Sequence, residues 1–278
     1  MALSFLKYHG HGNDFLVCLD GSDLPGGDEV DADFVAELCD RHRGVGADGV
    51  MVVRPATGRG DVRMELRNAD GGRAEMSGNG LRCLALALVD AGICSGPDVL
   101  VETDAGLRTV SIVERLSDDC SLAKAEMGTL LVGPEELAPL LGNGFQARHV
   151  DVGNPHLVFI GADLEGVDIV ELGRSLEDAR PGGQNVEVAT PDSSGGLELL
   201  VWERGAGVTE ACGTGSCAAA AAARAAGLVG DHVRVQNPGG VLDVDLSGDL
   251  QAPTVWLSGP ACRVARIEII PSGIDVLG

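Results

Sequence analysis

Residues 67–80 read RNADGGRAEMSGNG and residues 202–215 read WERGAGVTEACGTG. Laid over one another, they place Gly72 on Gly207, Glu75 on Glu210, Ser77 on Cys212, Gly78 on Gly213 and Gly80 on Gly215. Each copy continues into an Ala- and Leu-rich segment ending in Ala-Gly, 81–92 in the first and 216–227 in the second. A Ser or Cys followed by Gly-x-Gly at such a boundary predicts a helix start. A second match sets HGHGNDFLV at 9–17 against VDVGNPHLV at 150–158, with Gly12 on Gly153 and Asn13 on Asn154. Because the order is the same in both halves, the chain reads as two similar strand-and-helix domains related by a pseudo-two-fold axis.

The length of 278 residues leaves room for two such domains with a sizeable core. A formal net charge of −22 would repel phosphate backbones and anionic membranes, so nucleic acid is not an expected partner. Only Lys7 and Lys124 are lysines, which pairs the acid excess with lysine scarcity. No apolar run approaches the roughly 18 residues of a membrane span, and the first fifteen residues carry no apolar signal core. Eight cysteines in this setting read as reduced thiols of a cytoplasmic protein, packed as small apolar groups apart from Cys212, and not as a disulfide scaffold. Short apolar runs predict strands at 15–19, 50–53, 63–66, 157–160, 197–202, 233–235, 241–246, 254–257 and 263–270. Asn237-Pro238-Gly239-Gly240 predicts a hairpin between two of them. Further helices are expected at 31–39, 134–141 and 169–176.

A helix start presents unpaired N–H groups and the positive end of a dipole, so it favours negative charge. A cysteine there can ionise well below its usual pKa of about 8.5, which makes Cys212 a candidate thiolate. Neither Gly-x-Gly continues into the Gly-Lys-Ser/Thr of a phosphate loop or the third Gly of a dinucleotide fingerprint. His9-x-His11 and Cys212-x4-Cys217 lack the partners a zinc site needs, so no metal is expected. Two helix starts, each with a proton-transfer group, suit a reaction that works on both faces of one carbon, such as racemisation or epimerisation at an amino-acid Cα. The N–H groups around Gly78-Asn79 and Gly213-Thr214 would hold the α-carboxylate and the charge that develops on it.

The series KYHGHGNDFLV (7–17), DRHRGVGADGV (40–50), RNADGGRAEMSGNGLRC (67–83), DVGNPHLV (151–158), NVEV (185–188) and WERGAGVTEACGTG (202–215) resembles, in order and spacing, the motifs of the diaminopimelate epimerase family. The resemblance implies an α+β fold of two pseudo-symmetric domains, each a mostly antiparallel β-structure around a central helix, with the active site in the interdomain cleft. The halves are expected at 1–122, completed by 264–278, and at 123–263. It implies an isomerase that epimerises LL-diaminopimelate to meso-diaminopimelate without PLP or any other cofactor, in lysine and peptidoglycan-precursor synthesis. Position by position, it makes Cys212 one acid/base and Gly78, Asn79, Gly213 and Thr214 a carboxylate cradle. Glu203 would meet the substrate ammonium and Arg204 its distal carboxylate, while Asn13, Asn68, Asn154 and Asn185 would read its polar atoms. His156 and Glu203 would tune the thiols, and a homodimer is expected from the resemblance alone.

One position departs from the pattern. Where the family has its first catalytic cysteine, the chain has Ser77. A hydroxyl is a far weaker acid than a thiol, and a helix dipole contribution of about 0.3–2 kcal/mol does not close that gap. Ser77 is therefore read as an introduced Cys→Ser change, a natural asymmetric Ser77/Cys212 pair, or the mark of a shifted substrate. The alternatives to the epimerase are a racemase or dehydratase of another amino acid, and a protein that binds an amino acid without turning it over.

Overall fold

The computed structural model describes residues 3–137, 145–161 and 164–269. It divides into two compact units, the first comprising residues up to Ala125 together with the segment from Pro260 onward, the second Glu126–Gly259. The first unit runs β1 (Leu3–Gly10), β2 (Asn13–Cys18), α1 (Ala32–Cys39), β3 (Gly49–Pro55), β4 (Val62–Asn68), β5 (Arg73–Ala74), α2 (Gly78–Asp90), β6 (Asp98–Thr103), β7 (Gly106–Arg115) and β8 (Cys120–Thr129). After the short β9 (Leu131–Val132) and β10 (Glu136–Leu137), the second repeats that order as β11 (Gln146–Asp151), β12 (Pro155–Ile160), α3 (Ile169–Leu176), β13 (Asn185–Pro191), β14 (Leu197–Glu203), β15 (Gly207–Val208), α4 (Gly213–Ala225), β16 (His232–Asn237), β17 (Gly240–Gly248) and β18 (Pro253–Ile269).

The pairing repeats with the order. β1–β2, β3–β4, β4–β5 and β6–β7 are antiparallel, as are β11–β12, β13–β14, β14–β15 and β16–β17. The parallel pairs β2–β3 and β4–β6 recur as β12–β13 and β14–β16. Each parallel pair is bridged by a helix, because parallel strands need a long crossover. The fold is thus α+β, mostly antiparallel, and built twice.

In each unit one helix is interior and one lies on the far side of the sheet. α2 is buried from Gly78 through Leu88, and α4 from Gly215 through Ala223. Side chains alternate across a strand. Leu16, Cys18, Val50 and Val52 therefore pack in one apolar cluster with Val35 and Leu38 of α1, which leaves Phe15, Val17 and Met51 on the other face. In the second unit Leu157, Phe159, Val186 and Val188 cluster with Leu172 of α3, which leaves His156 and Glu187 on the face toward α4.

Several expectations need correction. No helix forms at the start of 134–141: Glu136–Leu137 is a strand paired with β11, and 138–141 lie outside the described residues. Pro134-Glu135-Glu136 resembles a helix start, but backbone pairing with Ala147 and Gln146 prevails. The two strands expected at 254–257 and 263–270 are a single strand through Ile269. Its Gly259-Pro260 reads as a break, yet it falls where β18 leaves β17 at Ser258 and joins β1 at Cys262, so in neither ladder is the missing N–H of proline needed. Cys120 and Cys262, expected as reduced thiols, form a disulfide within the first unit; β8 and β18 are paired, which brings the two side chains together. The Asn237–Gly240 hairpin forms as expected. Among the described residues no helix is long and apolar enough to cross a membrane.

α3 seats closely on β14 because residue 173 is Gly: a Cβ there would fall inside the Trp202 indole. Gly173→Ala is expected to cost about 1–3 kcal/mol through overpacking. Thermal unfolding with the near-ultraviolet circular dichroism of Trp202 checks this, a wild-type melting temperature and spectrum being the contrary result.

Candidate functional site

Two half-sites are described, one in each unit. In the first, Ser77 is the N-cap of α2, with extended backbone and a side-chain oxygen that accepts from the Gly80 N–H at 3.1 Å. Gly12, at φ +87°, makes the turn that places Asn13 at the head of β2. Asn79 donates to the Asn13 oxygen at 3.0 Å, and Asn13 donates to Asp48 at 2.9 Å. Arg82, wholly buried, donates to the Asn79 oxygen at 2.7 Å and to the Gly78 carbonyl. Gly78, Asn79 and Asn13 are thus brought together. Asn68, at the end of β4, is exposed, and among the described residues no hydrogen bond places its side chain in this network.

The second half-site has the same skeleton and different contents. Cys212 is the N-cap of α4, and its sulfur accepts from the Gly215 N–H at 3.3 Å and lies 3.5 Å from the Thr214 hydroxyl. Its own N–H donates to the Asn237 side chain, which also bonds Ser216. Gly153, at φ +99°, repeats the turn of Gly12 and sets Asn154 beside β12. His156 lies between Asn154, 3.0 Å from Nε2, and Glu187, 2.6 Å from Nδ1. Glu203 accepts from Thr209 and hydrogen-bonds Cys212. Asn185 is engaged by backbone, donating to the Pro155 carbonyl and accepting the Arg204 N–H. It therefore pins Arg204, whose exposed guanidinium reaches the Gly182 carbonyl with one arm.

The electrostatics reverse one expectation. Burial pushes the Cys212 thiol well above its usual range, and the Glu203 and Glu187 carboxylates push it the same way. The Thr214 and Gly215 hydrogen bonds pull it down and are overridden. Cys212 in this state is an acid holding its proton, not the thiolate expected from its helix start. A dipole contribution of about 0.3–2 kcal/mol loses to burial acting together with two nearby carboxylates. Glu203 is itself raised by burial, against the lowering effect of its bonds to Thr209 and Cys212.

Sequence reasoning missed Glu187, Asn237, Arg82 and Asp48. Glu187 had a visible signal: it is the one acid in its strand and stands between Val186 and Val188. Asn237 was read only as a turn residue, and nothing in its spacing points to the buried bond it makes. Among the described residues, no group of three or more His, Cys, Asp or Glu is placed to hold a metal ion.

The model of the diaminopimelate epimerase family matches residues 5–129 and 148–264. The diaminopimelate epimerase of Prochlorococcus marinus (strain MIT 9313) is 38% identical over 281 residues, covering 93% of this chain and 90% of the relative. That of Methanothermobacter thermautotrophicus is 35% identical over 279 residues, covering 94% and 96%. Among solved structures, a Bacillus anthracis phenazine biosynthesis protein of the PhzF family superposes with a TM-score of 0.76 at 15% identity, over 97% of this chain and 99% of that one. A hydroxyproline epimerase from Agrobacterium vitis superposes with a TM-score of 0.71 at 21% identity, over 98% and 93%. These two likenesses bear on the fold alone.

A raised thiol pKa carries a stability signature. Above about pH 8.5 the unfolded chain releases thiol protons that the folded one retains, so stability falls as pH rises. Cys39 and Cys83, each pushed up to about 12 by burial, contribute along with Cys212. Cys212→Ser is expected to reduce the slope of unfolding free energy above pH 8.5 by about 1.4 kcal/mol per pH unit. Denaturant titrations at several alkaline pH values measure it, and equal slopes would show that Cys212 ionises in its ordinary range.

Proposed function

Since this chain belongs to the diaminopimelate epimerase family, we propose that Ser77 and Cys212 are the two proton-transfer groups with which it interconverts LL- and meso-diaminopimelate at Cα. The chain is an isomerase of amino-acid biosynthesis. The carrying observation is the matched pair of helix starts, each capped by a side chain that accepts the N–H three residues on. Cysteine is not among the favoured N-caps, and sulfur is a weak acceptor. Its presence at Cys212 gives up capping strength, which reactivity explains.

One group, entering the step as its conjugate base, removes the Cα proton, and the electron pair left behind spreads onto the substrate α-carboxylate. The other group delivers a proton to the opposite face, so the donor ends as its conjugate base and the acceptor as its conjugate acid. The N–H groups at Gly78-Asn79 and Gly213-Thr214 steady the developing charge. Arg204 grips the distal carboxylate with its unoccupied guanidinium arm, and Glu203 meets the ammonium. Asn13, Asn79 and Asn154 orient the polar ends. This reading needs no cofactor and takes the enzyme to be cytoplasmic.

The two half-sites differ in what they offer a proton. The Cys212 sulfur lies among Glu203, Thr214 and the Glu187 carboxylate. The Ser77 hydroxyl, by contrast, accepts the Gly80 N–H with the Met51 thioether close behind that glycine. Proton transfer through residue 77 is accordingly the slow step of the chain as it stands.

Solvent deuterium entering Cα from each stereoisomer tests the whole reading. Ser77→Cys is expected to raise turnover by roughly a hundredfold or more. Cys212→Ser is expected to abolish what remains. Equal rates in the two variants and the parent chain would end the two-base assignment.

A further inference from the structure

The corresponding registers of the two units show where the halves diverge. β2 pairs with β3 so that Phe15 meets Gly49 and Val17 meets Met51. β12 pairs with β13 so that His156 meets Asn185 and Val158 meets Glu187. Phe15 thus corresponds to His156, and Met51 to Glu187. The second glycine of each helix start records the same substitution: a Cβ on Gly80 would meet the Met51 sulfur at 3.2 Å, and one on Gly215 would meet Glu187 Oε1 at 2.9 Å. Gly215 is required because a carboxylate lies against the first turn of α4, beside the Cys212 sulfur, 3.2 Å from the same point.

Glu187 is fully buried, and its Oε2 has no hydrogen-bond partner among the described residues. A carboxylate in such a place requires a counter-charge. The group bonded to Oε1 is His156, also fully buried, and both of its ring nitrogens face oxygens, Glu187 on Nδ1 and Asn154 on Nε2. That arrangement suits a ring carrying hydrogen on both nitrogens. The other titratable groups facing the pair are Glu203 from β14 and Cys212 from the start of α4.

We propose that Glu187 is a positioning residue of the reaction: its carboxylate holds His156 as a cation, the cation fixes Asn154, and the buried charge pair makes the Cys212 half the proton-handling half of the enzyme. This rests on the epimerase reading for its consequence and on the second half-site alone for its geometry. The first half-site, with Phe15 and Met51 in the same places, has no such pair. Removing the carboxylate takes away the reason for His156 to be charged, so the ring goes neutral and Asn154 loses one fixed orientation. Substrate still binds through Arg204 and the helix N–H groups, so the loss falls on turnover.

Glu187→Gln keeps the shape and removes the charge. Nitrogen NMR of histidine-labelled protein without substrate is expected to show a doubly protonated His156 ring at neutral pH in the parent chain and a neutral ring in Glu187→Gln. In the Ser77→Cys background, where residue 77 no longer limits the rate, deuterium exchange into diaminopimelate is expected to fall roughly a hundredfold in kcat with KM little changed on adding Glu187→Gln. An identical ring signature in the two proteins, or an unchanged kcat, overturns the proposal. A changed ring signature with no exchange by the parent chain or by Ser77→Cys sinks the epimerase reading instead and leaves the Glu187–His156 charge pair standing. If Glu187→Gln fails to fold, Glu187→Met combined with His156→Phe copies residues 51 and 15 and removes both charges at once. That variant is expected to show the same fall in kcat, and parental turnover in it overturns the proposal.

Discussion

A helix sunk in a protein interior must still satisfy the amide hydrogens of its first turn, since no water reaches them. Both interior helices meet this need with the side chain that the proposed reaction also uses, Ser77 on α2 and Cys212 on α4. The outer helices are capped by Asp31 and Asp168, strong acceptors that lie near solvent. An aspartate in the inner positions would bury a charge with nothing to balance it. Capping and, on the two-base reading proposed above, proton transfer therefore fall on one atom in each unit.

Duplication of the scaffold did not bring duplication of the chemistry. The same registers carry Phe15 and Met51 in one unit and His156 and Glu187 in the other. In the first unit, polar order runs outward from the buried Arg82 and Asn79 through Asn13 to Asp48, a hydrogen-bonded line continued by Arg41. In the second, it lies beside the Cys212 sulfur, in the buried Glu187 and His156. Asp14, next to that line, shows the same concern for balance: burial alone would raise its carboxyl, but Arg41 and Lys7 bond it and hold it below its usual value.

What could be read from the chain follows from where the information sits. The repeat was legible because Gly-x-Gly before an alanine-rich run is a local pattern, and α1, α3 and the Asn237 hairpin carry local signals of their own. β7 and β8 were not, since Gly106–Arg115 and Cys120–Thr129 alternate small or charged residues with apolar ones and form no apolar run. The long β18 was read as two strands because continuity across Gly259-Pro260 depends on a change of partner that only the folded sheet supplies. Ser77, Cys212 and the asparagines stood out by motif. Glu187 and Arg82 did not, because their importance comes from complete burial. The sign of the Cys212 shift was misread for the same reason: the helix end is visible in the sequence, and the carboxylates around it are brought there by strands.

The strand from Pro253 to Ile269 begins beside β17 and ends beside β1, antiparallel to the first residues of the chain. β1 is synthesised long before β18, so its outer edge stays unpaired until that strand is made. During synthesis that edge stands open, a flat row of amides that any other extended peptide could zip onto. For this architecture, prompt synthesis of β18 protects against misassembly, and a nascent chain halted before residue 260 still lacks the strand that covers the edge of β1.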